Sequence, residues 1–348
     1  MPDGPADSSW ERKSPDLTGS HRLASPVVSV TTSATWRDEA WKRTALDWVD
    51  ERLALSGPRR KGEIEEIKIR PWSLVWRVPT ADGQVWFKAN GGDTRYEPVL
   101  VDALARWVPG RTVRPLAIDA ERGWMLAPEA GPILRETPAA ADPRQWEAFV
   151  GEYGQLQRDL SGRVAEMVAL GVPDHRPEVL PEQAVALVDD PDLVAFDPAD
   201  RQRVRAILPE YALRCATLAA GGIGPSLNHD DLHDANVLVR DHRFQFFDWG
   251  DAAVAHPFAT MLVTLRVVAH KFDVPADDPI VTRIRDAYLE VWTDEYDVAH
   301  LRELVRLAAW TGIVGRSFSW RRSLVHANAD ELAEWGDGVS GWLTELLS

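Results

Sequence analysis

The chain has 348 residues, a hydrophobic fraction of 45% and a formal net charge of −15. That length can bury a sizeable core. The acidic balance argues against nucleic acid, which is bound through basic surface, and no stretch reaches the ~20 apolar residues that a membrane-spanning helix needs. The N-terminus has neither a basic start nor an apolar run, and the single cysteine, Cys215, rules out an internal disulfide. A cytoplasmic, reduced protein without an export signal is expected, with Cys215 as a buried thiol on a helix.

Residues 1–30 are rich in Pro, Ser, Asp and Gly and read as a flexible tail with one strand at Val27–Val30. A helix is expected next. Thr35 and Asp38 form a capping-box pattern at its start, Trp41, Ala45, Trp48, Val49 and Leu53 share one face, and Gly57-Pro58 ends it. Strands follow at 63–70, 74–78 and 84–89, the last two joined by a turn at Thr80-Ala81-Asp82-Gly83. A helix over 95–108 buries Tyr96, Val99, Leu100, Ala103, Leu104 and Trp107, and two more strands are expected at 113–119 and 123–127. Lys88 sits near the end of the third strand and Glu97 in the first turn of the helix after it. Beyond residue 130 the pattern is mostly helical.

The exception is the run Leu227-Asn228-His229-Asp230-Asp231-Leu232-His233-Asp234-Ala235-Asn236, followed by Asp248-Trp249-Gly250. These segments spell H-x-D-x-x-x-x-N and D-x-G. Between them Val237–Val239 and Phe244–Phe247 read as two strands around a polar turn. Such a hairpin holds an Asp, an Asn and a second Asp around one small volume. Metal-dependent phosphoryl transfer needs that set: one carboxylate orients the attacking hydroxyl, while an amide and a carboxylate hold Mg²⁺ against nucleotide phosphates. After Asp251 a helix begins almost at once, with Pro257 in its first turn. No long activation segment and no A-P-E motif fit there, which argues for a small-molecule acceptor over a protein.

At these residues the chain resembles the aminoglycoside phosphotransferases and their relatives, whose usual pattern is H-G-D-x-x-x-x-N followed by D-W or D-x-x-D. The resemblance covers about residues 60–345, sharply at this segment. It implies an α+β, two-lobed protein-kinase-like fold with a small antiparallel-sheet N-lobe and a mostly helical C-lobe. The tail would be 1–30, the nucleotide-binding N-lobe 31–127 and the C-lobe 128–348. It also implies Asp231 as the catalytic Asp, Asn236 and Asp248 as metal ligands, and Asp251 as the end of D-x-x-D. Lys88 would contact the α- and β-phosphates and Glu97 would hold Lys88. The 71–74 turn lacks the G-x-G-x-x-G of protein kinases, so Ser73 and backbone N–H groups would cover the phosphates instead. In the linker Met125–Gly131, Ala127 and Glu129 would offer backbone contacts to the purine, while Pro128 cannot donate.

Two departures stand out. Asp230 replaces the usual Gly, and Asp234-Ala235 replace Pro-Gly. Asp230 is open to three readings: raising the pKa of Asp231, helping to hold a cationic substrate, or lying solvated in a turn. The net charge is compatible with a cationic substrate drawn to an acidic cleft. By contrast Arg316, Arg321 and Arg322 form a basic cluster open to two readings, neutralising neighbouring acids or binding an anionic or neutral acceptor. With Trp310, Trp320, Trp335 and Trp342 they are expected to line or brace the acceptor pocket. His229 is expected to pack on the D-x-G turn and His233 to bond within the loop. The expected function is an ATP- and Mg²⁺-dependent phosphotransferase acting on a hydroxyl of a small molecule, with GTP as a possible donor. The alternatives are a metabolite kinase for an amino sugar, a choline-like amine or another hydroxyl compound, or a silent nucleotide-binding module. Acceptor and oligomeric state are not fixed by sequence.

Overall fold

The computed structural model describes residues 32–57, 59–193, 195–240 and 243–348. The expected tail and its strand at Val27–Val30 lie outside them. A one-turn helix α1 (Ser33–Arg37) precedes α2 (Glu39–Ser56). The cap of α2 corrects the sequence expectation. Asp38 is its N-cap, accepting the Ala40 and Trp41 N–H groups at 2.9 and 2.8 Å, while Thr35 pairs with Thr32 in the capping box of α1. Two overlapping cap signals lie within four residues, and the short helix uses the first.

The sheet then runs through β1 (Glu65–Arg70), β2 (Ser73–Thr80) and β3 (Gly83–Asn90). After α3 (Glu97–Trp107) come β4 (Ala117–Asp119) and β5 (Trp124–Pro128). The order is β1-β2-β3-β5-β4, antiparallel throughout. The strand expected from 113 is confined to 117–119, since Pro115 supplies no N–H to a ladder. Alternation along β3 buries Val85, Phe87 and Ala89. Phe87 meets Trp48 of α2, and Trp48 and Trp41 pack on Trp124 and Trp76, so this face of the sheet is closed by aromatic contacts. Lys88, one residue out of phase, points to the opposite face, where α3 lies.

The helical part holds α4 (Pro143–Leu160), α5 (Val164–Ala169), α6 (Leu180–Val188), α7 (Pro198–Ala219), α8 (Met261–Phe272), α9 (Pro279–Leu289), α10 (Val298–Leu324), α11 (Ala329–Trp335) and α12 (Asp337–Thr344). Short strands interrupt it: β6 (Asp174–His175), β7 (Ser226–Asn228), β8 (Val237–Arg240), β9 (Arg243–Phe246) and β10 (Ala253–Ala255). The expected hairpin is β8–β9, with Val237 opposite Phe246 and Arg240 opposite Arg243. β10 lies between β6 and β7 in a small sheet that the sequence reading did not anticipate.

α4 carries Tyr153 and Gln157 to the carbonyl of Leu227, just before the loop. The 27-residue α10 passes close over the same region. A Cβ on Gly312 would sit 3.3 Å from Ala259 Cβ, and one on Gly315 would sit 3.5 Å from His175. Trp310 and Trp342 pack with the α6–α7–α10–α12 core instead of lining a cleft. Cys215 is buried on α7, and burial pushes its thiol up to about 12. Among the described residues no helix is long and apolar enough to cross a membrane.

Candidate active site

Three segments distant in sequence meet at Lys88. Its Nζ lies 2.6 Å from Glu97 Oε2 and 2.6 Å from Asp248 Oδ1, joining β3, the first turn of α3 and the turn after β9. Glu97 also accepts the Trp249 N–H at 2.9 Å, so it braces both the lysine and the D-x-G turn. Asp248 takes left-handed backbone with φ 62°. A Cβ on Gly250 would fall 3.3 Å from Glu97 Oε2, which is the local reason for a glycine there. Tyr96 anchors the same turn, its Oη 2.7 Å from the Gly250 and Ala252 carbonyls.

Burial opposes charge on Lys88, but Asp248 and Glu97 outweigh it and raise its pKa. Burial likewise opposes charge on Asp248, and Lys88 and Lys68 outweigh it, holding the carboxyl well below the usual range. On Glu97 burial prevails over Lys88 and the pKa rises.

Asp231 lies in the loop between β7 and β8. Arg316 Nη2 donates to its Oδ1 at 3.0 Å. Asn236 Nδ2 donates to its backbone carbonyl at 2.8 Å and to Oδ2 at 3.3 Å. His233 Nε2 stands 3.5 Å from Oδ2. His233 Nδ1 accepts the Ala235 N–H, which leaves Nε2 as the protonated nitrogen facing Asp231. Burial alone would raise Asp231, but Arg316 and His233 outweigh it, so its carboxyl is lowered and stands ionised. His229 packs as expected, 4.7 Å from the Trp249 ring, with Nε2 2.9 Å from the Phe247 carbonyl.

Both departures from the family pattern have a structural account. Asp230 adopts φ 64°, the left-handed region where glycine is usual. It is 3% exposed, not solvated: Ser319 Oγ donates to Oδ2 at 2.5 Å and Asn228 Nδ2 to Oδ1 at 3.2 Å. Burial, partly offset by Arg316 and Ser319, pushes its own pKa up to about 6. Asp231 is lowered and not raised, so that expectation is corrected as well. Asp234, fully buried, binds Arg135 at 2.6 Å and Lys271 at 3.2 Å.

The arginine cluster divides. Arg316 Nη1 reaches Asp251 Oδ2 at 2.8 Å, and Arg322 donates to the Asp251 carbonyl and to Ser319 Oγ. Arg321 turns away to Asp190 at 2.9 Å. Ser73 is buried at the start of β2, opposite Asn90. Its neighbour Trp72 docks on the C-terminal helices, with ring centroids 6.1 Å from Trp320 and 5.9 Å from Trp335. Ala127 pairs with Trp86 within the sheet, and the Glu129 carboxylate accepts the Trp86 and Gln84 side-chain N–H groups. Sequence reasoning missed Tyr96, Ser319, Arg135 and Lys271. None of the four carried a local signal of its role.

The donor chemistry around Lys88 fits a hard cation. Asn236 Oδ1 and the second Asp248 oxygen are oxygen donors, and two carboxylates face one lysine. Among the described residues no group of three or more His, Cys, Asp or Glu is placed to hold a metal by itself. Mg²⁺ in general takes one or two protein oxygens beside substrate phosphates and waters.

This arrangement is that of a kinase-like phosphotransferase, and comparison with known proteins agrees. Residues 90–304, more than half of the chain, match the family model described as "Phosphotransferase enzyme family", and the chain belongs to that family. Its class is therefore that of phosphotransferases acting on hydroxyl groups of small molecules. A solved macrolide 2'-phosphotransferase type I is 15% identical, with 90% of this chain and 99% of that one covered and a TM-score of 0.54. An ethanolamine kinase from Plasmodium vivax is 11% identical, with 88% and 89% covered and a TM-score of 0.63. A GDP complex of an aminoglycoside 2'-phosphotransferase is 15% identical, with 86% and 99% covered and a TM-score of 0.53. These likenesses establish the α+β, protein-kinase-like fold. No curated protein sequence matches the chain.

Proposed function

We propose that the chain transfers the γ-phosphoryl group of ATP, with Mg²⁺, to a hydroxyl of a small molecule. The observation that carries this reading is the convergence of Lys88, Glu97 and Asp248 within 2.6 Å contacts, on the D-x-G turn that follows the Asp231–Asn236 loop. On this reading 31–127 form the nucleotide lobe and 128–348 the catalytic and acceptor lobe.

Lys88, braced by Glu97, turns from Asp248 to the nucleotide phosphates. Asn236 and Asp248 would hold the metal, whose charge would offset that of the nucleotide phosphates. Asp231, ionised and fixed by Asn236 and Arg316, orients the acceptor hydroxyl and takes its proton. Ser73 and the backbone of its turn cover the phosphates, and the backbone of Ala127 and Glu129 meets the base. Positioning and charge neutralisation supply the rate. The GDP bound to a solved protein of this fold supports a nucleotide donor and keeps GTP beside ATP as the candidates. A cytoplasmic setting, where these nucleotides abound, accords with this reading.

The test is Mg²⁺–ATP turnover by the full chain with a panel of hydroxyl acceptors, alongside nucleotide binding by calorimetry. Asp231→Asn is expected to lose transfer by 10²-fold or more, of the order of a general-base contribution, while keeping nucleotide affinity. Asp248→Ala is expected to lose the Mg²⁺-dependent part of that affinity. Undiminished turnover in Asp231→Asn would refute the assignment.

A further inference from the structure

Any acceptor whose hydroxyl reaches Asp231 also lies beside Arg316. That guanidinium takes one oxygen from each of two carboxylates, Asp231 Oδ1 at 3.0 Å and Asp251 Oδ2 at 2.8 Å. These are the groups an ammonium on the acceptor would seek. The bridge is not a loose surface pair. Arg316 is 8% exposed, and its helix is drawn close by Gly312 and Gly315. A cation competing for these carboxylates would leave a buried guanidinium without its partners, a strongly unfavourable state.

The same matching runs round the loop. Arg135 and Lys271 take Asp234, and Arg322 reaches Asp230 through Ser319. Asp230, Asp231, Asp234 and Asp251 thus face Arg135, Lys271, Arg316 and Arg322. The chain carries a net charge of −15, yet this rim has no acidic surplus to offer a cation. Aromatic surface adjoins it. The Trp320 ring lies 6.0 Å from the Arg316 guanidinium, with Trp72 and Trp335 packed on it, and all three residues are partly exposed. Charge-matched polar groups beside tryptophan faces suit a molecule with hydroxyls and an apolar ring face.

We propose that Arg316 is a specificity-determining residue that excludes cationic acceptors, and that the acceptor is an uncharged, sugar-like hydroxyl compound. This rests on the phosphotransferase reading above. In the transfer the acceptor oxygen forms its bond to the γ-phosphorus and the bond to the β,γ-bridging oxygen breaks. That electron pair leaves with ADP, and the hydroxyl proton passes to Asp231.

The experiment uses the full chain with Mg²⁺–ATP and matched acceptor pairs, glucose with glucosamine and galactose with galactosamine, plus ethanolamine. In the wild type a neutral sugar is expected to exceed its amine partner at least 10-fold in kcat/KM. Because Arg316 also fixes Asp231, Arg316→Met should lower kcat for both members of a pair, yet narrow their kcat/KM ratio by 10-fold or more through a lower KM for the amine. Arg316→Lys, which keeps the charge but cannot bridge both carboxylates, should fall between and serves if Arg316→Met does not fold. Preference for the amines in the wild type, no turnover of any neutral sugar, or an unchanged ratio in the variants each overturns the proposal. Loss of Mg²⁺–ATP binding by the wild type would instead overturn the underlying reading.

Discussion

Asp230→Asn isolates one buried charge. Asp230 has a usual pKa of 3.8, and burial lifts it to about 6 in the folded chain. The gap of roughly two units corresponds to about 3 kcal/mol, at 1.36 kcal/mol per unit. The direction follows from proton counts. Between pH 4 and 6 the folded protein holds this proton and the unfolded chain does not, so stability falls as pH rises. The contribution is fully present below about pH 4 and is lost as pH passes through about 6. Asparagine removes the charge and, like the protonated carboxyl, keeps one carbonyl acceptor. Its oxygen still accepts from Ser319, and its side chain tolerates the left-handed φ of 64°. Urea unfolding of both proteins from pH 4 to 8 should show similar stability at pH 4. By pH 7 the wild type should have lost up to about 3 kcal/mol relative to Asp230→Asn. A difference that stays flat across this range would refute the reasoning.

Glu97→Gln keeps an oxygen that can accept from both Trp249 N–H and Lys88, but leaves Asp248 as the one carboxylate facing Lys88. A raised KM for the nucleotide is expected, read from the ATP dependence of turnover. Unchanged KM with reduced stability would reduce Glu97 to a structural role. Gly338→Ala would put a Cβ 2.7 Å from the Trp320 ring. It should cost about 1–3 kcal/mol by overpacking, read as a lower melting temperature, and an unaltered melting curve would contradict the packing.

Much of the sheet was legible because its signals are local. Asp82-Gly83 sets the β2–β3 turn, and the apolar alternation of β3 fixes which way Lys88 points. The H-x-D-x-x-x-x-N and D-x-G spacing likewise needs only a short hairpin to bring its members together. What escaped was non-local or very short. β6, β7 and β10 have two or three residues each, too few for a period to show. Tyr96 reads as one more apolar position of a helix, although its hydroxyl fastens Gly250 and Ala252 more than 150 residues away. Asp230 was visible as a departure, but its burial depends on Ser319, far along the chain on α10. The Thr35 error has another cause, two cap signals competing within four residues.

Arg316 shows why overall charge misleads about a cleft. At physiological ionic strength exposed charges are screened beyond about 8 Å, so most of the chain's acidic surplus is felt weakly at Asp231. What an acceptor meets there is set by groups within hydrogen-bonding distance. All four cations matched to these carboxylates come from other elements: Arg135 from the turn after β5, Lys271 from α8, and Arg316 and Arg322 from α10. Composition records each as one basic residue among 39. Only the fold reveals that they stand against Asp231, Asp234 and Asp251. The acidic total suggested a cationic substrate, and the arginine-rich stretch of α10 suggested the opposite. The pairing geometry favours the second, because a carboxylate whose charge is already matched by a buried guanidinium attracts an ammonium less strongly.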